Sequence, residues 1–405
     1  MTTITIKQNN RLLILLFTTF ILSSIVLIEP APFDVLLLLV IAFAIFFHYA
    51  TYQQIHVWPI VCLLLFLLLN ILASYHFVNV SIGIRYSLIT IYLIISWLGL
   101  SGITYYVGPS ILPYIFNGYV ISATLSTCLG ILAYMDVLPS LDFLLQFGRV
   151  QGFFKDPNVF GPFLIPPTLY CLWRSSQYGV FHKKGFIFLS LFLLLSFGIL
   201  LSFSRAAWGN FILSLLLYFF LIKMHTLKRV KTIFSLIVMM IPILYVAITS
   251  PKIADLFIHR LGLQAYDDNR FSNQNAAIDY VLAYPLGAGS GQSEVLLPIS
   301  THSLYIRLIF ETGIGGLIIF LCFFLLCLYH AIKLLKITSA TFQGYFVIIV
   351  ATLIGILFNS MFIDTLHWRH TWLLCALPFM KQDKLLYRKD GERCELFNLL
   401  HEWTS

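Results

Sequence analysis

The chain has 405 residues, of which 60% are hydrophobic and only 10% charged, with 37 phenylalanines. A soluble chain carries roughly 25% charged residues, so a soluble domain is excluded. The formal net charge of +8 would suggest a nucleic-acid partner in a soluble protein; here no nucleic acid is expected, and the distribution of charge matters more than its sum. Apolar runs near the length needed to cross about 30 Å of hydrocarbon recur from end to end. Only helices or closed barrels satisfy their backbone groups in lipid, and unbroken apolar runs exclude the alternation of a barrel. The expectation is an all-α, polytopic transmembrane protein, one integral membrane domain over residues 1–405.

Taken in chain order, spans are expected near 11–28, 33–50, 57–75, 86–105, 112–133, 159–173, 185–203, 206–222, 233–249, 314–329, 344–363 and 371–380, about 12 in all. The first ends in Glu29-Pro30-Ala31-Pro32 without a small-x-small cleavage site, so it reads as a retained anchor. The seven cysteines have no CxxC spacing and mostly lie within apolar runs, as packing residues do. Placing both termini in the cytoplasm puts Arg174, Lys183, Lys184, Lys223, Lys228, Arg229, Lys231, Lys333, Lys336 and the basic tail inside, which satisfies the positive-inside bias. The cations left outside are Arg85, Arg149, Lys155, Arg205, Lys252, Arg260, Arg270, Arg307 and Arg369. They run against that bias, and either pair with outer acids or serve a site.

Two connections are long, about 135–158 and about 250–313, and both fall outside. Long connections in compact proteins are usually functional. In the second, Asp268 or Asn269 can cap a helix that begins at Arg270-Phe271 and is ended by Pro285. Gly287 to Gly291 follows, a fragment of a dinucleotide fingerprint without the strand–helix unit around it, and so a flexible turn. A further helix starts near Thr301-His302-Ser303 and runs to Glu311, before Gly313 introduces the next span.

Four outer segments carry the candidate chemistry: Arg149 to Asn158, Ser202 to Trp208, Asp267 to Arg270, and Ser300 to Gly313. Arginine binds phosphate oxygens bidentately and stays charged. Arg205 sits at a turn between two spans with Ser202 and Ser204 as its polar company; snorkelling to headgroups is the alternative to binding an anion. Arg270 opens a helix, where the dipole disfavours a cation unless an anion is bound; a local pair with Asp267 or Asp268 is its alternative. His302, read in the first turn of a helix, is the candidate general base, because that position lowers an imidazole pKa and favours the proton-accepting form. The rival cluster, His367-Trp368-Arg369-His370, equally fits an interfacial aromatic belt. Asp267-Asp268 alone is weak evidence for a metal.

In order and on one face, Arg149-to-Asn158, Ser204-Arg205, Asp268-to-Gly291 and His302-to-Gly313 resemble the O-antigen ligase and O-antigen polymerase superfamily of bacterial envelope glycosyltransferases. Ser303 departs from it, standing where the family often has Asn. The resemblance implies a metal-independent, inverting transfer of glycan from an undecaprenyl diphosphate carrier to an acceptor, without a cofactor, in the bacterial cytoplasmic membrane. Arg205 and Arg270 would hold the diphosphate, with Arg149 and Lys155 as further candidates, and His302 would activate the acceptor hydroxyl. The donor is then an undecaprenyl-diphosphate-linked oligosaccharide, the acceptor a glycan or lipid A-core, and the other partners membrane lipids and a chain-length regulator. The Lys155-Asp156-Pro157-Asn158 segment leans the reading to a polymerase over a ligase. The competing class is a transporter or flippase of lipid-linked sugar; transporters bury their polar sites near the bilayer midplane, whereas these charges stop at the outer face.

Overall fold

The computed structural model describes residues 2–179, 182–251, 253–254, 256–257, 277–297 and 302–381. A helix falls within or overlaps each of the twelve stretches read as apolar spans, several of them shorter than expected: α1 (Thr2–Ile21), α2 (Pro32–Phe46), α3 (Gln54–Ala73), α4 (Val80–Val107), α5 (Ile111–Tyr134), the pair α6 (Pro157–Phe163) and α7 (Ile165–Tyr178), α8 (Lys183–Leu201), α9 (Arg205–Leu221), α10 (Thr226–Thr249), α11 (Leu304–Ile337), α12 (Ala340–Asn359) and α13 (Arg369–Ala376). Among the described residues six helices are long and apolar enough to cross a membrane: Gln54–His76, Val80–Val107, Ile111–Tyr134, Lys183–Leu201, Leu304–Ile337 and Ala340–Asn359. Asn10–Ile21, Pro32–Phe46 and Arg205–Leu221 are apolar but shorter. The helix expected from Arg270, with Asp267 and Asp268, lies outside the described residues.

The helices pack as neighbours, α3 along α11, α9 along α12, α1 along α5 and α7 along α8, with α13 on α4. Aromatic rings fill the seams: Trp97 meets Phe323 edge-on at 5.2 Å, and Phe320 lies 5.9 Å from Trp372. On the outside the helices present Phe46, Leu216 and Phe220, all strongly exposed. Bare apolar side chains in that number suit lipid, and would be a liability in water.

The connections expected on one face do gather at one end of the bundle. Val26 donates its backbone N–H to Phe153 (3.1 Å), Gln292 binds the backbone of Val78 and Asn79, Leu304 donates to Ser360 (3.0 Å), and Arg369 reaches Asp34. Each contact joins different connections or the helix ends beside them, so this end is a knitted layer. Within it, a short hairpin pairs Leu145 with Val150 and Gln146 with Arg149. Asp156 then caps α6, accepting from the Asn158 N–H at 2.8 Å, with Pro157 at the first helical position.

The glycine-rich turn is packed, not loose as its composition suggested. The long helix α11 is two helices joined across Gly313, whose backbone is non-helical (φ 69°, ψ 177°). A break of this kind strips the preceding turn's carbonyls of their helical donors. The turn supplies replacements: Ala288 donates to Phe310 (2.8 Å) and Gly289 to Glu311 (2.9 Å). The buried Gln292 amide accepts from the Val78 and Asn79 N–H groups at 3.0 and 2.9 Å, and donates to the Asn79 carbonyl at 2.9 Å. The chain from 287 to 293 is thereby fixed to both α11 and the α3–α4 connection.

A Cβ on Gly313 would lie 2.1 Å from the Pro285 carbonyl oxygen, in a backbone region side chains avoid, whereas one on Gly315 would only touch Leu69 at 3.4 Å. Gly313→Ala should therefore destabilise by at least about 1–3 kcal/mol, the usual scale for a strained backbone, and Gly315→Ala should change little. Thermal unfolding of the two variants in detergent checks this; equal midpoints would contradict it.

Candidate functional site

Helix α8 ends at Leu201, and the chain turns through Ser202, Phe203 (φ 45°) and Ser204 before α9 opens at Arg205. The Ser204 hydroxyl caps α9 by accepting from the Ala207 N–H at 3.4 Å. Arg205 is thus the first residue of a 17-residue helix, half-buried, at the end where the peptide dipoles favour an anion. The turn is braced from outside. Arg149, buried on the second strand of the hairpin, donates through Nε to the Ser202 carbonyl (2.9 Å) and through a terminal nitrogen to Asn158 Oδ1 (2.8 Å). Three of the four segments singled out in the sequence bear on this region: Arg149 to Asn158, Ser202 to Arg205, and the one carrying His302.

His302 adopts a positive φ (47°) and precedes Ser303, with α11 beginning only at Leu304. Its imidazole therefore lies outside the first helical turn where the sequence pattern had placed it. The segment is seated on the end of α12: Leu304 N–H and Ser303 Oγ both donate to the Ser360 carbonyl (3.0 and 3.4 Å), and the Tyr305 hydroxyl to that of Leu357 (2.7 Å). The start of α9 meets the same end. A Cβ on Gly209 would lie 2.7 Å from the Phe358 ring, and one on Gly355 2.1 Å from Asn210. Arg205, one turn beyond Gly209, and His302, beside Ser360, thus flank the same end of α12. Beneath them, the fully buried Asn359 has no partner for either side-chain polar atom among the described residues, and neither has the Asn210 amide nitrogen. Arg270 lies outside the described residues.

Lys252 and Arg260 also lie outside the described residues, and the remaining described cations of this end, Arg85, Lys155, Arg307 and Arg369, meet acids. Lys155 pairs with Glu29 at 2.7 Å, and Arg85 shares that carboxylate at 2.8 Å. Burial pushes the Glu29 carboxyl up, but the hydrogen bonds and charges of Lys155 and Arg85 outweigh it and hold the pKa below the ordinary value. Lys155 and Arg149, only six residues apart, therefore engage different partners. Arg369 grips Asp34 with two nitrogens (2.6 and 2.7 Å), and the Tyr92 hydroxyl adds a third bond at 2.7 Å.

Sequence reasoning missed a buried cluster beside His302. Arg307 donates to Glu311 (3.0 Å) and to Asp364, and its guanidinium lies over the Tyr86 ring at 4.8 Å. Ser293 donates to Glu311 at 2.5 Å, and Tyr86 to Glu294. The spacing of Arg307 and Glu311, one helical turn apart, was the available signal; Asp364, 57 residues away in sequence, gave none. His367 bonds Thr90 at 3.0 Å, and with Trp368, Arg369 and His370 lines a cavity of about 40 Å³ walled by Phe20, Phe33, Phe154 and Phe163. Among the described residues, no three His, Cys, Asp or Glu side chains form a set that could hold a metal ion.

Residues 190–321 match the family model described as O-antigen ligase. The matched stretch includes Arg205, Arg270 and His302. No curated protein matches the chain at a significant level.

Burial, and then the charge of Arg307, push the His367 imidazole down to about 3, with Asp364 opposing; burial raises the Asp364 carboxyl, but Arg307, His367 and the Leu366 N–H together outweigh it and leave the group below its ordinary value. Above the ordinary histidine value of 6.5, His367 is neutral folded or unfolded and contributes no pH dependence. Below it, only the unfolded chain takes the proton, so stability falls from there toward pH 3. The thermal midpoint in detergent should decline as pH drops from 6.5 to 4, and His367→Gln should decline less steeply. Parallel declines would contradict the assignment.

Proposed function

We propose that this member of the O-antigen ligase and polymerase superfamily is a membrane glycosyltransferase of bacterial surface-polysaccharide assembly, which moves a glycan from undecaprenyl diphosphate to an acceptor hydroxyl. The observation that carries the reading is the shared seat of Arg205 and His302 at one end of α12. The family match spans both residues, and the orphaned amides of Asn359 and Asn210 beneath them suit a site completed by a polar ligand or water. The cations Arg174, Lys183 and Lys184 at the facing ends of α7 and α8, and Lys223, Lys228, Arg229 and Lys231 between α9 and α10 and in the first turns of α10, lie at the helix ends opposite to Arg205, which supports a site facing the periplasm or exterior.

In this reading the Arg205 fork, at the start of α9, receives the diphosphate, and Arg270 supplies a second fork. His302 accepts the proton of the acceptor hydroxyl as its oxygen attacks the anomeric carbon. The bond from that carbon to the diphosphate oxygen breaks, and the lipid diphosphate leaves with its charge held by the arginines. Attack opposite the leaving group inverts the anomeric centre, and the two arginines take the part a divalent ion plays elsewhere. Arg149 contributes by bracing the Ser202 carbonyl, and so the turn that aims Arg205. Asp156 and Asn158, from the segment that leaned the reading toward a polymerase, serve here as helix cap and as Arg149 acceptor. Transfer of a growing glycan to a new repeat unit, and not to lipid A-core, remains the favoured outcome.

Single-turnover transfer from purified lipid-linked donor, run beside donor-binding affinity, tests the assignment. Arg205→Ala should abolish transfer and weaken donor binding, and Arg205→Lys should restore only part, since the bidentate fork is lost. His302→Ala should slow transfer by roughly 10²–10⁴-fold, the scale of general-base removal, with donor affinity nearly unchanged. Activity should survive chelation of divalent ions. Wild-type protein that binds the donor and never transfers it would instead mark a transporter.

A further inference from the structure

We infer that Arg307 is a positioning residue for His302, a clip that holds the base-bearing turn against the end of α12; the inference rests on the base assignment above. Arg307 is 5% exposed and sits in the first turns of α11. Its Nε is spent on Glu311 within its own helix, and a terminal nitrogen on Asp364 in the connection that follows α12. That connection begins at Ser360, whose carbonyl receives both Ser303 and Leu304. Two attachments therefore join the start of α11 to the end of α12: the backbone bonds beside His302, and the Arg307–Asp364 contact about one turn further along. Between them they fix the angle at which the chain enters α11.

His302 needs such a fixture. A positive φ in a residue with a Cβ is uncommon and costs free energy, so it persists only where the surroundings over-determine it. The clip is itself held on other sides. Tyr86 of α4 lies under the guanidinium, and Ser293 of the glycine-rich turn donates to Glu311. Arg307 thus ties α4, the 287–293 turn, α11 and the 361–366 connection into one body beside the candidate base. A buried arginine with two carboxylates is a poor source of net stability, because desolvation offsets the attraction. Fixing geometry is the better account of why it is here.

Arg307→Ala would strand Glu311 and Asp364 and is expected to insert poorly, so the test uses Arg307→Lys, which keeps the charge and loses the two-armed fork. A charge-neutral Arg307→Gln/Asp364→Asn pair serves as a second variant. The first readout needs no reaction: the rate at which diethyl pyrocarbonate modifies His302 in intact, detergent-solubilised protein, followed by peptide mass spectrometry. Both variants should raise it at least threefold, while His48 at the other end of the bundle and the Arg85→Lys control stay unchanged. An unchanged His302 rate, or a rise shared by His48, overturns the clip. The second readout is single-turnover transfer, which should fall roughly tenfold or more, the scale of a misplaced catalytic group, with donor affinity unchanged. In a His302→Ala background the same Arg307→Lys change should cost nothing further. An additive loss, or weaker donor binding at an unchanged rate, overturns the assignment. Wild-type protein without transfer would sink the enzymatic reading and leave the clip to be decided by the modification rate alone.

Discussion

The carbonyl of Ser360 is the point on which the rest of this end of the molecule depends. It stands just past the end of α12, where helix carbonyls have lost their own donors, and it accepts from Leu304 N–H and from the Ser303 hydroxyl. Through it the start of α11 is docked on α12, and α12 is already packed along α9. Residues nearly a hundred positions apart, Arg205 and His302, are brought to one place by the ends of three helices. Short helical ends are rigid platforms, and a site built on them keeps its geometry better than one carried on free loops.

Charge divides this layer into two parts. Arg85, Lys155, Arg307 and Arg369 meet Glu29, Glu311, Asp364 and Asp34 in ion pairs that stitch separate connections together. Arg149 meets a backbone carbonyl and an amide oxygen. Those contacts rationalise most of the cations that violate the usual membrane asymmetry. Arg205 opens a long helix, at the end where the dipole favours negative charge. In the function proposed above, an anionic diphosphate would supply that charge.

Much of this was legible in the sequence. Apolar runs located the helices, because the length of hydrocarbon fixes the length of a span. Gly313 announced the break in α11, and the order of Arg149, Ser204-Arg205 and His302 pointed to the end of the bundle that holds them. What could not be read was anything set by long-range register. His302 was expected inside a helix, but the Ser303–Ser360 docking starts the helix at Leu304. Lys155 reads like a neighbour of Arg149 until Glu29, far away in sequence, claims it. The Arg307 cluster draws on α4, α11, the 287–293 turn and the 361–366 connection, and no local pattern predicts such a meeting. Composition also misjudged the glycine-rich turn, since glycine allows close packing as readily as flexibility.

The proposed transfer depends on where the diphosphate sits, and an experimental map of the protein with a lipid diphosphate donor bound would locate it most directly. Diphosphate density is expected against the Arg205 guanidinium at the start of α9, with the sugar's anomeric carbon turned toward His302 and the end of α12. Density for the diphosphate in the cavity beside His367 and Arg369, or on the Lys155–Glu29 pair, would contradict it.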